Sequence, residues 1–413
     1  MTKVLLRATR LAIAGAILAP MLVSGPARAE CAYRNTVPVK AYFAAFPAWR
    51  IIAAAMKECG NVQVELDQEI RSKGAPAFAA RPALYQIGGV HNGTIVPLLN
   101  QNTIRPLDDL IAKYGQTLQP NQLIKIDGKT MAVALMVNMQ HLVYRADILE
   151  QLKIPVPTTY DEVLAAAGTI KASGLVPFPL GATYKSDWNI GIDFNNLFTG
   201  FGGKFVNADN TPAINSPAGL KTLDMMKRLS EFMDPEYLAA DATTVQQQFQ
   251  QGKIALSNFW ASRVSALEDP KESRVVGKIG TASAPSAVKG GPPAVQFSWD
   301  GFAIARNITD AEAEAAFRVA VAGANAEMVA ANNDVAVWLI AGFKPGAAAK
   351  GSIETLDNGA PTAPSTSWRG VMDAATVKNV PDFMLGRRTA EQTLQKIAAD
   401  YTTSAVEAGL LKR

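Results

Sequence analysis

The chain has 413 residues, 48% of them hydrophobic and 18% charged. That composition belongs to a soluble globular protein long enough for two domains or one large bilobed one. Of the formal net charge of +4, four positive groups (Lys3, Arg7, Arg10, Arg28) and no acidic one fall within residues 1–29, so the chain beyond them is formally neutral. Neither nucleic acid nor an anionic membrane surface is indicated as a partner.

Residues 1–29 read as a cleaved secretory signal peptide. A basic start is followed by an apolar run, Leu11 to Val23, too short for an ordinary membrane span. The segment ends in Ala27-Arg28-Ala29, an Ala-x-Ala cleavage pattern. Export brings an oxidising compartment, where the two cysteines, Cys31 and Cys59, either pair or remain free thiols.

Beyond the leader, Val37 to Phe43 reads as a strand and Ala48 to Cys59 as a helix stopped by Gly60. Val62 to Leu66 alternates as a second strand. This βαβ opening predicts a parallel sheet. A third strand is expected over Pro82 to Ile87, running into a loop at Gly88 to Gly93. A helix is expected over Thr94 to Asn100. Asp127-Gly128 then makes a turn into a long apolar run, Met131 to Tyr144. That run carries few charges, so it is expected to be one strand buried on both faces. Asn138, Gln140 and His141 interrupt it, and polar groups there need partners or a crevice. A short helix over Ala146 to Leu152 follows. After a Pro-spaced linker, Thr158 or Thr159 caps the next helix, with Asp161 and Glu162 in its first turn.

Further helices are expected over Asp193 to Phe201, Ala218 to Met233 and Val245 to Gln251. Strands are expected over Pro177 to Gly181, Gly277 to Ala284 and Phe297 to Arg306. A long Ala-rich helix is read over Asp310 to Ala331, and a terminal helix over Thr389 to Leu410. No internal repeat is visible.

Five strings carry a resemblance. They are Gly128-Lys129; Tyr144-Arg145-Ala146-Asp147-Ile148-Leu149 with Pro155 and Pro157 to Val163; Pro106-Leu107-Asp108-Asp109; Phe249-x-x-Gly252-Lys253-Ile254-Ala255-Leu256, followed by Phe259 and Trp260; and Gly386 to Leu394. Together the chain resembles the extracellular solute-binding proteins of ABC importers, in the maltose-binding-protein-like carbohydrate branch. Arg145 and Tyr160 depart from its usual Asn and Trp.

The resemblance implies an α/β fold of the two-lobed periplasmic-binding-protein kind (type II), each lobe a mixed sheet flanked by helices. Hinge crossovers are expected near Leu135 to His141, Phe297 to Gly301 and Val335 to Ala341. The first lobe is then 30–137 with 300–334, and the second 138–299 with 335–413. It also implies a monomer in the periplasm that captures a mono- or oligosaccharide or a polyol. The protein delivers it to a permease in the inner membrane and needs no cofactor.

Enzyme chemistry is the competing class. Two histidines are too few for a His-rich metal site, so no metal is expected. HExxH, GxSxG and Walker A patterns are absent. A secreted carbohydrate-active enzyme of the glycoside hydrolase kind would instead need two carboxylates across a crevice, and Asp300 is the acid expected there.

A sugar site needs aromatic faces for the C–H side of the ring and planar polar groups for hydroxyls. Both belong at the carboxyl ends of strands. Those rules and the resemblance single out His91 and Asn92 after a strand, Asn138 within the long run, and Trp188 in a polar loop. They also single out Trp260 and Arg263 after a strand, Trp299 and Asp300 at the second crossing, and Trp368 in a Ser/Thr/Pro-rich loop.

Overall fold

The structure, a computed structural model, describes residues 31–412; the expected signal peptide lies outside them. The opening is the predicted parallel βαβ unit of β1 (Asn35–Ala44), α1 (Pro47–Lys57) and β2 (Gly60–Asp67). Cys31 and Cys59 are joined as a disulfide. It holds the first described residue against the end of α1, next to the Asn35–Gly60 start of the β1–β2 ladder.

The first lobe continues through α2 (Ile70–Ala79), β3 (Ile87–His91), α3 (Ile95–Asn100), α4 (Asp108–Tyr114), β4 (Leu123–Ile126) and β5 (Lys129–Asn138). The second lobe takes β6 (Gln140–Arg145), α5 (Ala146–Leu152), α6 (Tyr160–Ser173), α7 (Trp188–Gly200), α8 (Pro217–Ser230), α9 (Ala242–Gln250), β7 (Leu256–Trp260) and β8 (Ile279–Ala282). The chain then returns to the first lobe as β9 (Ser298–Ile304), α10 (Asp310–Gly323), α11 (Ala326–Ala331) and β10 (Val337–Trp338). It ends with α12 (Lys350–Asp357), α13 (Ser367–Met384) and α14 (Ala390–Glu407) packed on the second lobe.

The larger sheet has the order β10-β5-β9-β3-β1-β2, with β4 paired to β5. β1 is parallel to β2 and β3, whereas β9 runs antiparallel to both β3 and β5. The smaller sheet, β7-β6-β8, is antiparallel, with one parallel bridge from Leu180 to Leu256 beside it. That bridge is all that forms of the strand expected over Pro177 to Gly181.

The long apolar run is two strands rather than one. β5 ends at Asn138, Met139 is fully buried, and β6 starts at Gln140 in the other sheet. As expected, β5 is covered on both faces. Val133 and Leu135 pack with α1 and α10, while Ala132 and Ala134 face the opposite core with Ile95 and Leu98.

Three other expectations shift. β3 lies at Ile87–His91, so Gly88 and Gly89 are inside the strand and not in a loop. Glycine weakens strands in general, but a Cβ on Gly88 would run into the Phe78 ring and one on Gly89 would press on Phe43 and Trp49. The bare backbone is what lets α2 and α1 close over the sheet. The Ala-rich helix is split at Ala324, and Asn325 caps α11 by accepting from Met328 N–H at 2.8 Å. Residues 335–338, expected in the second lobe, lead into and form β10, which adds to the edge of the first sheet through Val337–Val137 and Trp338–Met136. Ser298 and Trp299 likewise belong to β9 in the first sheet. The α6 cap is Thr159, whose hydroxyl accepts Glu162 N–H while Glu162 reaches back to Thr159 N–H, a reciprocal capping box.

Gly88→Val is expected to destabilise the protein by about 1–3 kcal/mol through overpacking, measured by urea unfolding. An unchanged midpoint would show that Phe78 can swing away at no cost.

Candidate functional site

The two sheets meet where β5 passes into β6 and the chain returns into β9. A cleft of about 470 Å³ opens there between the lobes, a size suited to a small ligand. Its first-lobe wall comes from strand ends. His91 and Asp300 sit opposite each other in the β3–β9 ladder, and Asn138 and Ser298 are the last pair of the β5–β9 ladder. His91 Nδ1 accepts Gly93 N–H at 3.1 Å, which leaves the proton of a neutral ring on Nε2. Asn138 is held across the crossing, donating to Ser262 Oγ at 3.2 Å and accepting Ser262 N–H at 3.4 Å.

The second-lobe wall is aromatic and charged. Trp188 starts α7 and Trp260 ends β7. Their ring centroids are 6.3 Å apart with planes tilted by 52°, giving a corner of two indole faces. Trp188 is 43% exposed and lines the cleft. The Trp260 indole N–H is buried and has no acceptor among the described residues. Arg263 lines the same wall and donates to Gln246 Oε1 at 3.0 Å. Burial lowers the pKa of its guanidinium, against the pull of the Asp241 charge. Among the described residues no carboxylate lies within ion-pair distance of it, so its other N–H donors remain for hydroxyl or carbonyl oxygens. At the rim Lys185 sits 3.5 Å from both Asp187 and Asp241, whose charges raise its pKa. These pairs are half-exposed, with distances at the long end of the ion-pair range, and contribute little to stability.

Six of the expected residues therefore line one cavity: His91, Asn138, Trp188, Trp260, Arg263 and Asp300. Three do not. Trp299 is 5% exposed and packs into the core, because neighbours on a strand point to opposite faces and Asp300 takes the cleft side. Asn92 lies in the turn just after β3 and does not reach the cleft. It is buried as a brace, donating to Ala363 O at 2.7 Å and accepting Trp299 N–H at 2.9 Å. Trp368 is in the first turn of α13, not in a loop, and stacks on Phe205 at 5.7 Å. It borders a separate groove that shares no lining residue with the cleft. Gln140 and His141, the other polar groups of the apolar run, are buried outside the cleft.

Asp187, Asp241, Lys185, Phe46 and Gln68 also line the cleft and were not expected. Asp187 and Asp241 are N-caps, accepting from Asn189 N–H and from Thr243 and Thr244 N–H respectively. Their positions before α7 and α9 are readable as caps, but nothing local says that those helix starts face the cleft.

Residues 40–331 match the family described as bacterial extracellular solute-binding protein. The chain belongs to that family. Its members are binding proteins rather than enzymes, and they act outside the cytoplasm. Among sequence relatives, a probable amino-acid ABC transporter periplasmic-binding protein of Sinorhizobium fredii is 27% identical over 134 residues. That match covers 32% of this solute-binding protein, and the chain spans 30% of the relative's length.

Similar solved structures cover far more. One is an ABC transporter solute-binding protein from Agrobacterium radiobacter in complex with ribitol. It has a TM-score of 0.78 at 21% identity over 90% of this chain and 100% of that one. Another, from Agrobacterium vitis with D-mannitol, has a TM-score of 0.74 at 19% identity over 90% and 99% of the two chains. A maltose-bound protein of T. maritima has a TM-score of 0.74 at 17% identity over 89% and 100%. At these identities the structures establish the two-lobed fold.

Directly behind the cleft, Asp193 on α7 is enclosed with Thr183, Tyr160 and Tyr184. Burial pushes its carboxyl up to about 7, although Thr183 and Gln140 donate to it. A carboxyl whose folded pKa lies above its unfolded 3.8 stabilises the fold fully below about pH 4, and that contribution is lost as pH rises towards 7. The stability of Asp193→Asn relative to wild type is therefore expected to increase from pH 4 to 7 and then level off. Thermal unfolding across that range checks it; a pH-independent difference would mean that the site tolerates the charge.

Proposed function

We propose that the protein is the periplasmic substrate-binding subunit of an ABC importer and that its cleft captures a polyol or a sugar. The observation that carries this reading is the make-up of the two walls. Trp188 and Trp260 offer apolar faces from one lobe, and His91, Asn138 and Asp300 offer polar groups from the other. An acyclic polyol or sugar ring has one C–H-rich side for the indoles and hydroxyls for the planar polar groups. Polyol and sugar complexes among the similar structures support the same class of ligand.

Contacts drawn from both walls favour a closed arrangement over an open one. In this reading the closed form is a monomer that docks on the inner-membrane permease after loss of residues 1–29. The first lobe is 31–138 with 298–338, which moves Asn138, the start of β9 and β10 into it, and the other described residues form the second.

A glycoside hydrolase reading gains from Asp187, Asp241 and Asp300 in one cleft, since hydrolysis uses two carboxylates. A general acid needs a raised pKa. Burial pushes Asp241 that way, but Thr244 and Lys185 outweigh it and the net shift is downward. Its oxygens are also engaged by the helix start and by Lys185. This site supports binding better than proton transfer.

The test is a thermal-shift titration of the mature protein with ribitol, D-mannitol and maltose, with product analysis. A ligand that binds only the folded state stabilises it by about 2.7 kcal/mol at a hundred times its dissociation constant. The expected result is a concentration-dependent rise with at least one polyol or sugar, recovered unchanged. Trp260→Ala is expected to weaken that binding about tenfold or more, or about 1.4 kcal/mol. Consumption of the ligand would replace the binding reading with the enzyme, and no shift with any of the three would remove the polyol assignment.

A further inference from the structure

α7 is an unusual helix for its position. Asn189, Asp193, Asn195 and Asn196 are all buried in its interior-facing turns, where polar groups must be paired. Asn196 is paired in an informative way. Its Nδ2 donates to Gln140 Oε1 at 2.8 Å, and its Oδ1 accepts Gln296 N–H at 2.9 Å. Gln140 is the first residue of β6 and Gln296 lies two residues before β9. One side-chain amide therefore grips the chain at both the outgoing and the returning crossing. Gln140 is fully buried, and its amide nitrogen donates to Thr183 Oγ1 at 3.1 Å and Asp193 Oδ2 at 3.4 Å. The Gln296 side chain is held in turn by Thr199 of α7 and Arg369 of α13.

On the first-lobe side, the β5–β9 ladder ends with Asn138 opposite Ser298. Only Met139 and Phe297 separate the end of that ladder from the grip on Gln140 and Gln296. The N-terminal residue of the gripping helix is Trp188, one face of the aromatic corner. It stands eight residues before Asn196, about 12 Å along the axis at 1.5 Å per residue.

We infer that Asn196 is a positioning residue. It clamps these two crossing strands to α7, so that bending at them falls on Met139 and on Phe297, whose backbone is bonded to Pro361 and Ala363, and carries Trp188 with the hinge as one unit. A helix packed only by apolar contacts could slide against the crossing strands as the lobes move. A pair of short, directional hydrogen bonds from one buried amide cannot accommodate such sliding without leaving a carbonyl and an N–H unpaired. The consequence for binding rests on the cleft being the ligand site; the placement of Trp188 does not.

The test therefore uses ligand-free protein. The full mature chain is labelled with 5-fluorotryptophan, and the Trp188 fluorine resonance is assigned from its loss in Trp188→Phe. Asn196→Ala removes both arms of the clamp. Asn196→Asp keeps the side-chain size and the acceptor for Gln296 N–H, and replaces the donor to Gln140 with a second, charged acceptor. The expected result is a shifted or broadened Trp188 resonance in both variants, larger in Asn196→Ala, with Trp49 and Trp338 in the first-lobe core unmoved. An unmoved Trp188 resonance in either variant would overturn the inference. Equal movement of Trp49 and Trp338 would overturn it too, because it would reveal general loosening. Absence of polyol binding would leave this readout intact and bear only on the proposed function.

Discussion

The antiparallel pairing of β5 with β9 is the constraint on which the rest of the molecule depends. These two strands are far apart in sequence, yet they lie side by side in the first sheet and stop together at Asn138 and Ser298. Two of the three crossings between the lobes, into β6 and back into β9, therefore lie at one place, and the third runs from β10 to α12. That single geometry creates a two-strand hinge. It also puts His91, Asn138, Ser298 and Asp300 on the open side of the ladder end and aims the start of β6, with β7 beside it, at the opposite wall.

The two sides of the hinge solve the burial of polar groups differently. On the cleft side Asn138 is bridged to Ser262, and Arg263 is left with donors to spare. On the inner side the network from Thr183 through Asp193, Gln140 and Asn196 to Gln296 is closed on itself. A buried network rigidifies what it connects when every member is satisfied. Incomplete satisfaction in the cleft leaves free energy to be gained on binding a polar ligand. Behind the cleft this chain of bonds runs beside side-chain oxygens of Asn189, Asn195 and Asn258 that have no partner among the described residues, so it is the bonded chain and not the whole inner side that ties the crossings to α7.

Much of this was legible in the sequence, and the failures have specific causes. Thr158 or Thr159, with Asp161 and Glu162 after them, announced the next helix because capping is local, while the choice of Thr159 rests on its bond with Glu162 N–H. The apolar run from Met131 to Tyr144 announced burial on both faces, but not its division, since strands in two different cores look alike when both are fully buried. The division falls where Asn138 and Gln140 flank Met139; the polar interruption was the visible trace of the hinge. Gly88 and Gly89 were misread because glycine usually ends a strand, and here it makes room for aromatic rings supplied by α1 and α2. In the site, Trp188 and Trp260 were readable as aromatics beside strand or helix ends. Trp299 and Asp300 could not both face the cleft, and only the register of β9 decides between them. Trp368 was taken for a loop residue because the stretch before it is rich in Ser, Thr and Pro; the helix begins one residue earlier. Asp187 and Asp241 were legible as caps and illegible as cleft residues, since that role depends on which helix starts the fold gathers together.

The central claim is that a small ligand bridges the two walls and closes the lobes about the Met139–Phe297 joint. Small-angle X-ray scattering of the mature protein, alone and with saturating ribitol or D-mannitol, tests it most directly. The account predicts a smaller radius of gyration with the polyol that raises the melting temperature. It also predicts a smaller change in Trp260→Ala than in wild type at a ligand concentration near the wild-type dissociation constant. Ligand bound at full occupancy with an unchanged scattering curve would contradict it, because the cleft would then be a rigid pocket and the paired crossings would not be a hinge.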